Sequence, residues 1–549
     1  MQLPIASHPE KKNGLQRSLE FVILFWVAVF AFQITYLAGE RGFFAFDQSI
    51  VFDGGYRIVS GQIPFKDFVI PFGPMVFWLQ GAFFKLLGIN YGAYIFGAAA
   101  VNTVMTLGVY ALLRMLFPPN KLPAYLGALL TAVWFYAPFG TPWPEQTAFF
   151  FSFIALFLVL IEIYNPRISS RGRVLLNLTA GLAAFASFIS KQNAGAFFVP
   201  IIGLLYLIVD AQNLRRLMQE MLTFSAGWLG GALAFITWLL LRADMTLFYR
   251  YFFVIPAAEV SADRLPVGML AWLHALLIGE APPLAVALSM AAVLIALAAL
   301  WAAPSSLRQQ PRIQIAAALP LALMLFHNLY LITSNNQPEN SLPFIGLMAA
   351  ISLGLWMRPI AARPPRFKSA SPLLTGALIL LMALSLWQGA NIAISRQTHS
   401  IFRQSEFHQP LETRALSAIH WAEPTRIHRL ITAAEIDQLV ANLTRRGENF
   451  FIFPDFTIFY GVVGVPSPQP LLWFHNGLTY SKTYDPALDA WIVADLRQNR
   501  VAVIIIEQES WFYSDQLLAG FPLLEAFIAE EFTLDEQIGI FNIYVQKTD

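Results

Sequence analysis

The 549-residue sequence contains no cysteine. That removes disulfides, thiolate metal sites and cysteine nucleophiles together, and it leaves the compartment open, because an oxidising one permits disulfides without requiring them. Charge is scarce as well: 13% of residues are charged, where a soluble globular chain carries about 25%. The net charge of +1 argues against a nucleic-acid partner, which wants a strongly basic face. No Walker-type phosphate loop, no GxGxxG before a helix and no GxSxG is present, which argues against a nucleotide-binding or ATPase-driven unit. There is no internal repeat and no low-complexity tract.

What fills the chain instead is apolar. With 57% hydrophobic residues and a mean hydropathy of +0.57, it is a polytopic membrane protein. A polar start with Lys11, Lys12 and Arg17 precedes an apolar run from Leu19 to Leu37. That run is too long for a signal-peptide core and lacks a small-residue cleavage site, so a retained first span with a cytoplasmic N-terminus is expected. Further runs lie at 93–116, 122–138, 147–163, 174–190, 194–209, 221–241, 282–302, 313–333, 342–357 and 372–395. Together they predict a bundle of about eleven transmembrane helices, several near the ~17-residue lower limit.

A twelfth apolar stretch, Pro71 to Leu87, is assigned by loop charge. Short loops rich in Lys and Arg stay cytoplasmic. Arg167, Arg171 and Arg173 mark one such loop; Arg215 with Arg216, Arg308 with Arg312, and Arg358, Arg363, Arg366 and Lys368 mark the next three. If the loop after the first span is outside, residues 71–146 must cross an even number of times. Letting 93–116 run inward and 122–138 outward places Arg114 and Lys121 on the cytoplasmic side and leaves 71–87, with Gln80 and Lys85, lying in the outer interface.

Beyond residue 395 the pattern changes. Ile436, Leu439, Val440 and Leu443 share one helical face, as do Leu488, Trp491, Ile492 and Leu496, while Phe450 to Phe453, Val501 to Ile506 and Phe541 to Val545 read as strands. The expected organisation is a membrane domain over 1–396 and an extracytoplasmic α/β domain over 397–549, large enough for its own core.

Ionisable residues beside a bilayer are costly unless solvated or paired, so clusters there are candidate sites. The loop from Gly39 to Pro74 packs Asp47, Asp53, Arg57, Lys66 and Asp67 among aromatic and branched residues; Glu145 opens a span in TPWPEQ, and Lys191 lies in SKQN between two short spans. A sugar transferase needs a carboxylate to take the acceptor's proton and a cation to stabilise charge growing on a phosphate leaving group. Asp47 and Glu145 are the candidate acids; Lys191, Arg250 and Arg264 are the candidate phosphate ligands, with His327 as a further cation. Each has a plainer reading, since Glu145 after two prolines can face water and a lysine at a helix end often snorkels. The aromatic run MTLFYRYFFVIPAAEV suits an interfacial segment. His399, His408, His420 and His428 match no zinc spacing and read as surface residues.

These features resemble the membrane glycosyltransferases of the C superfamily, which include protein O-mannosyltransferases and lipid A aminoarabinose transferases. The residues that carry the resemblance are Asp47, the segment GYRIVSGQIPFKDFVIPFGP leading to FFKLLG, then WPEQ, SKQN, and in the tail FPDFTIFYGVVGVPSP and ADLRQNRVAVIII. The resemblance implies a transmembrane bundle with two interfacial helices in the first loop, a polyprenyl-phosphate sugar as donor, and inversion at the anomeric carbon. Two departures stand out: Gln48 where many relatives carry Glu, and Glu145 where many carry Asp. The first leaves Asp47 as the base, with Asp53 and Asp67 competing, and makes metal dependence doubtful, because one carboxylate per loop is a thin ligand set for a hard cation. The competing functions are a transporter or lipid flippase, for which Asn102 and His327 are the mid-span polar residues, and a lipid-linked glycan polymerase or ligase sharing the same outward site. For the topology, Asn90→Cys in this cysteine-free background should react with an impermeant maleimide added from outside; labelling from the inside alone would overturn the interfacial placement of 71–87.

Overall fold

The computed structural model describes residues 14–258, 283–333, 342–357, 365–395, 406–422, 431–477, 479–508 and 517–547. Nine helices form its first part: α1 (Gly14–Glu40), α2 (Ala45–Val59), α3 (Met75–Leu87), α4 (Tyr91–Leu116), α5 (Leu122–Trp134), α6 (Pro144–Tyr164), α7 (Ser170–Phe188), α8 (Gln192–Asp210) and α9 (Leu214–Arg242). Helices Pro283–Trp301, Pro311–Ile332, Ile345–Trp356 and Pro365–Ser395 complete the bundle. A helix therefore stands at each of the eleven expected positions, and eight are long and apolar enough to cross a membrane. Of the rest, α5 and Ile345–Trp356 have 13 and 12 residues, and α7 opens on Arg171 and Arg173. The stretch after Pro71 becomes α3, whose 13 residues reach about 20 Å, short of the ~30 Å hydrocarbon core.

Polar residues inside the bundle act as struts. The Asn102 amide donates to Ala31 O at 3.0 Å, Thr35 Oγ1 at 2.7 Å and Ala132 O at 2.9 Å, locking α1, α4 and α5 together. These bonds satisfy the amide nitrogen within the bundle. At the bundle end away from α2 and α3, Glu20 meets Arg114 and Lys121, and Arg216 meets Glu162, Asp210 and Glu220 across α6, α8 and α9.

The C-terminal part opens on an antiparallel pair, β1 (Phe407–Pro410) and β2 (His420–Ala422), and then carries a mixed sheet in the order β3 (Phe450–Phe453), β4 (Val503–Glu507), β6 (Phe541–Gln546), β5 (Phe532–Ile538). β3 and β4 pair in parallel and the other pairs are antiparallel. The parallel pair needs a crossover, supplied by Ile458–Val463 and Leu488–Gln498. Ala433–Arg446 begins on a capping box, Thr432 with Glu435, and stops at Gly447. β5 and the helix Pro522–Glu531 were not expected from sequence.

This part is not a bead on a string. One continuous apolar core runs from Phe52, Phe84 and Tyr94 through Phe235 and Phe248 to Phe451, Phe474 and Ile504. Within it lies a fully buried ion pair: Arg57 Nε donates to Asp53 Oδ2 at 2.9 Å, one turn apart on α2. Arg57 Nη1 also donates to Gln469 O at 2.7 Å, and Ser467 Oγ donates to Asp53 Oδ1 at 2.7 Å. Breaking a buried pair leaves a bare charge at a cost of about 3–5 kcal/mol. Arg57→Met should therefore lower the melting temperature in detergent sharply, and adding Asp53→Asn should restore part of it. A single variant as stable as the wild type would show that the pair does not hold the two parts together.

Candidate active site

The candidate site forms where three chain turns meet, at the starts of α2, α6 and α8. Asp47 occupies the first turn of α2, Glu145 the first turn of α6, and Lys191 the residue before α8. Gln48 explains its own departure from the acidic pattern: Phe44 N–H donates to its Oε1 at 2.7 Å and its Nε2 donates to Thr141 Oγ1 at 3.2 Å. It caps α2 and ties Asp47's turn to the loop before α6.

Lys191 Nζ donates to Glu145 Oε1 at 2.7 Å and stands 5.9 Å from the centre of the Phe72 ring. The Phe72 loop is pressed against this corner. A β-carbon on Gly73 would lie 1.8 Å from Ile189 O, so only glycine allows the approach. Gln192 Nε2 then donates to Pro71 O and Phe252 O, both at 2.9 Å, bringing in the segment that follows α9. There Arg250 opens a π-helical turn, Arg250–Val254, and its Nη1 lies 3.0 Å from Asp485 Oδ1. Tyr251 donates its hydroxyl to the other oxygen of Asp485 at 2.7 Å.

Electrostatics single out Asp47. Burial, and then the charge of Glu145, pushes its carboxyl up to about 7. Its position at a helix N-terminus favours the anion, and the desolvation outweighs it. Asp455 of the C-terminal part lies in the same field: burial first, then Glu507 and Asp47, raise it well above the usual carboxylate range. Glu507 accepts from Asp455 N–H at 2.8 Å and Phe456 N–H at 3.0 Å, and burial pushes it up to about 7. An acid near 7 beside a paired lysine can remove a proton from a hydroxyl at neutral pH. Among the described residues, no three His, Asp or Glu side chains are gathered so as to hold a metal ion.

The other sequence candidates fall elsewhere. Asp53 and Arg57 are the buried pair beneath the site. Asp67 Oδ2 accepts from Ile63 N–H at 2.7 Å, holding a turn, and Lys66 is exposed. His327 is buried in the bundle core on Pro311–Ile332. Arg264, His399 and His428 lie outside the described residues. Sequence reasoning missed Asp455, Glu507 and Asp485; the available signal was an acid embedded in an apolar run, as in FPDF and VIIIE.

The chain resembles known proteins in part of its sequence and in its fold. Residues 71–240 match the family described as dolichyl-phosphate-mannose-protein mannosyltransferase. No curated protein sequence matches the chain. The crystal structure of ArnT from Cupriavidus metallidurans bound to undecaprenyl phosphate aligns over 97% of this chain and 99% of that one, at 11% identity and a TM-score of 0.51. Its apo crystal structure aligns over 96% and 98%, again at 11% identity and a TM-score of 0.51. The family match is confined to residues 71–240, while the chain as a whole shares the fold of the two ArnT structures.

The shift of Asp47 is measurable without turnover. In infrared difference spectra, a carboxyl stretch absent from Asp47→Asn should titrate with a midpoint of about 7. Glu145→Gln should move that midpoint down, because a neutral amide no longer repels the second negative charge; an unmoved midpoint would show that Glu145 does not act on Asp47.

Proposed function

We propose that this protein transfers a sugar, with inversion, from a polyprenyl-phosphate-linked donor to a hydroxyl acceptor at the outer face of the membrane, its N-terminus cytoplasmic and its C-terminal part outside. The observation that carries the reading is the meeting of Asp47, Glu145 and Lys191 beside interfacial helices in a chain whose residues 71–240 match a mannosyltransferase family. The prenyl tail would lie along the bundle with its phosphate at the membrane surface, as suits the undecaprenyl phosphate bound by ArnT.

In the transfer, the acceptor oxygen attacks the anomeric carbon from the side opposite the phosphate. Its proton passes to the Asp47 carboxylate, the bond from anomeric carbon to phosphate oxygen breaks, and polyprenyl phosphate leaves with the electron pair. Lys191, with Arg250 as second cation, compensates the charge that develops on the leaving group. Glu145 holds Lys191 in place by its 2.7 Å contact and keeps Asp47 basic enough to accept a proton near neutrality.

The test is transfer from lipid-linked sugars in proteoliposomes, followed by mass spectrometry of lipid, glycan and peptide acceptors. Asp47→Asn should bind undecaprenyl phosphate as the wild type does and transfer about 100-fold more slowly or worse, the scale for losing a positioned base. Because the working form is the anion, wild-type kcat/KM should rise with pH up to about 7 and then level off. Lys191→Met should weaken donor binding and slow turnover together. Transfer by Asp47→Asn at the wild-type rate would reject the assignment of the base.

A further inference from the structure

We propose that Trp473 and Asp455, both supplied by the C-terminal part, form a subsite for the hydroxyl-bearing sugar ring of the donor lipid. The inference rests on the glycosyltransferase reading and names the surface that would meet the sugar. Buried polar atoms in folded proteins almost always find a hydrogen-bond partner. Trp473 Nε1 and Asp455 Oδ1 have none, although the residues are only 4% and 3% exposed. Leaving either group unmade is costly, and the local fold does not use them. The loop of Asp455 is already fixed through its backbone N–H on Glu507, and that of Trp473 through its carbonyl, which accepts from Thr479 Oγ1 at 3.0 Å.

The two residues are neighbours, because Thr457 Oγ1 donates to Leu472 O at 3.2 Å and joins their segments. Both segments face the membrane-side loops of the site. Phe456 lies 6.1 Å from Phe43, ring to ring, a few residues before Asp47, and Trp473 lies 6.4 Å from Phe72. Phe72 is also the ring beneath Lys191. A single aromatic ring thus separates the cation suited to the donor phosphate from an unmatched indole N–H, and a donor sugar is bonded directly to that phosphate. A sugar supplies what both atoms lack: hydroxyl oxygens that accept from the indole, which can only donate, and hydroxyl hydrogens that the carboxyl oxygen can accept. A bare prenyl phosphate supplies neither. Partly exposed Phe46, next in sequence to Asp47, stands 5.6 Å from the ring of His475, two residues beyond Trp473.

The experiment is native mass spectrometry in nanodiscs, comparing undecaprenyl phosphate with its mannose, glucose and 4-amino-4-deoxyarabinose derivatives on wild type, Trp473→Phe and Asp455→Asn. Trp473→Phe keeps a ring and removes the N–H; Asp455→Asn keeps the shape and removes the acid. Bare undecaprenyl phosphate should bind all three proteins alike. At least one sugar should tighten binding to the wild type, and that gain should shrink about 5-fold or more in each variant, as expected for a hydrogen bond lost from a buried group. No gain with any of the three sugars, or a gain kept by both variants, overturns the subsite. So does weaker binding of the bare lipid, which would assign the residues to the phosphate or to the fold. A raised KM for acceptor with the sugar gain intact overturns the donor assignment. Because the readout is binding, a wild type that shows the gain but transfers to no acceptor would reject the proposed function and leave the subsite standing.

Discussion

The buried pair of Asp53 and Arg57 is the constraint on which the rest of the molecule depends. Two charges one helical turn apart on α2 have been withdrawn from water, and neither is satisfied by the other alone. Two further bonds come from far along the chain: Arg57 Nη1 donates to Gln469 O, and Ser467 Oγ donates to Asp53 Oδ1. The pair therefore adheres to one docking geometry, because any slide of the C-terminal part across α2 would expose an uncompensated charge to an apolar core. Tyr56 donating to Val465 O, Gln62 to Ser467 O and Val69 N–H to Pro470 O continue the same seam. Buried ionic groups add little stability against an apolar replacement of equal shape, but they discriminate strongly between alternative arrangements.

That seam decides how the site is assembled. No single stretch contains the proposed site: Asp47, Glu145, Lys191 and Arg250 come from four turns of the membrane part, and Asp455, Trp473 and Asp485 come from the C-terminal part. Both cations rest on carboxylates, Lys191 on Glu145 and Arg250 on Asp485, so their positive charges are balanced and oriented. In the proposed reaction the donor phosphate would compete with a fixed carboxylate instead of ordering a mobile side chain, which would reduce the entropy lost on binding.

Much of this architecture was legible in the sequence, for identifiable reasons. Membrane helices announce themselves through uninterrupted apolar runs, and α3, with 13 residues that include Gln80 and Lys85, is shorter than a span. Asp47, Glu145 and Lys191 stood out because ionisable groups are rare where water is scarce. The remainder depended on distance along the chain. Asp53 and Arg57 looked like members of the site because they share its loop, and only the partner surface from 467–469 reveals them as structural. Gln48 looked like a lost acid, whereas its amide can donate and accept at once, which a carboxylate in its place would not do. The strand β5 alternates weakly, with Thr533, Asp535 and Glu536 breaking the apolar pattern, and became a strand through pairing with β6.

The π-helical turn at Arg250–Val254 has one further implication. In a regular α-helix, adjacent side chains diverge and do not meet on one partner. Here Arg250 and Tyr251 are neighbours in sequence, and both reach Asp485, one to each oxygen. The wider turn accommodates this convergence, so the segment tolerates exchange of its aromatic residues more readily than a change in their number. A one-residue deletion would restore ordinary helical spacing and part the two side chains from their common carboxylate.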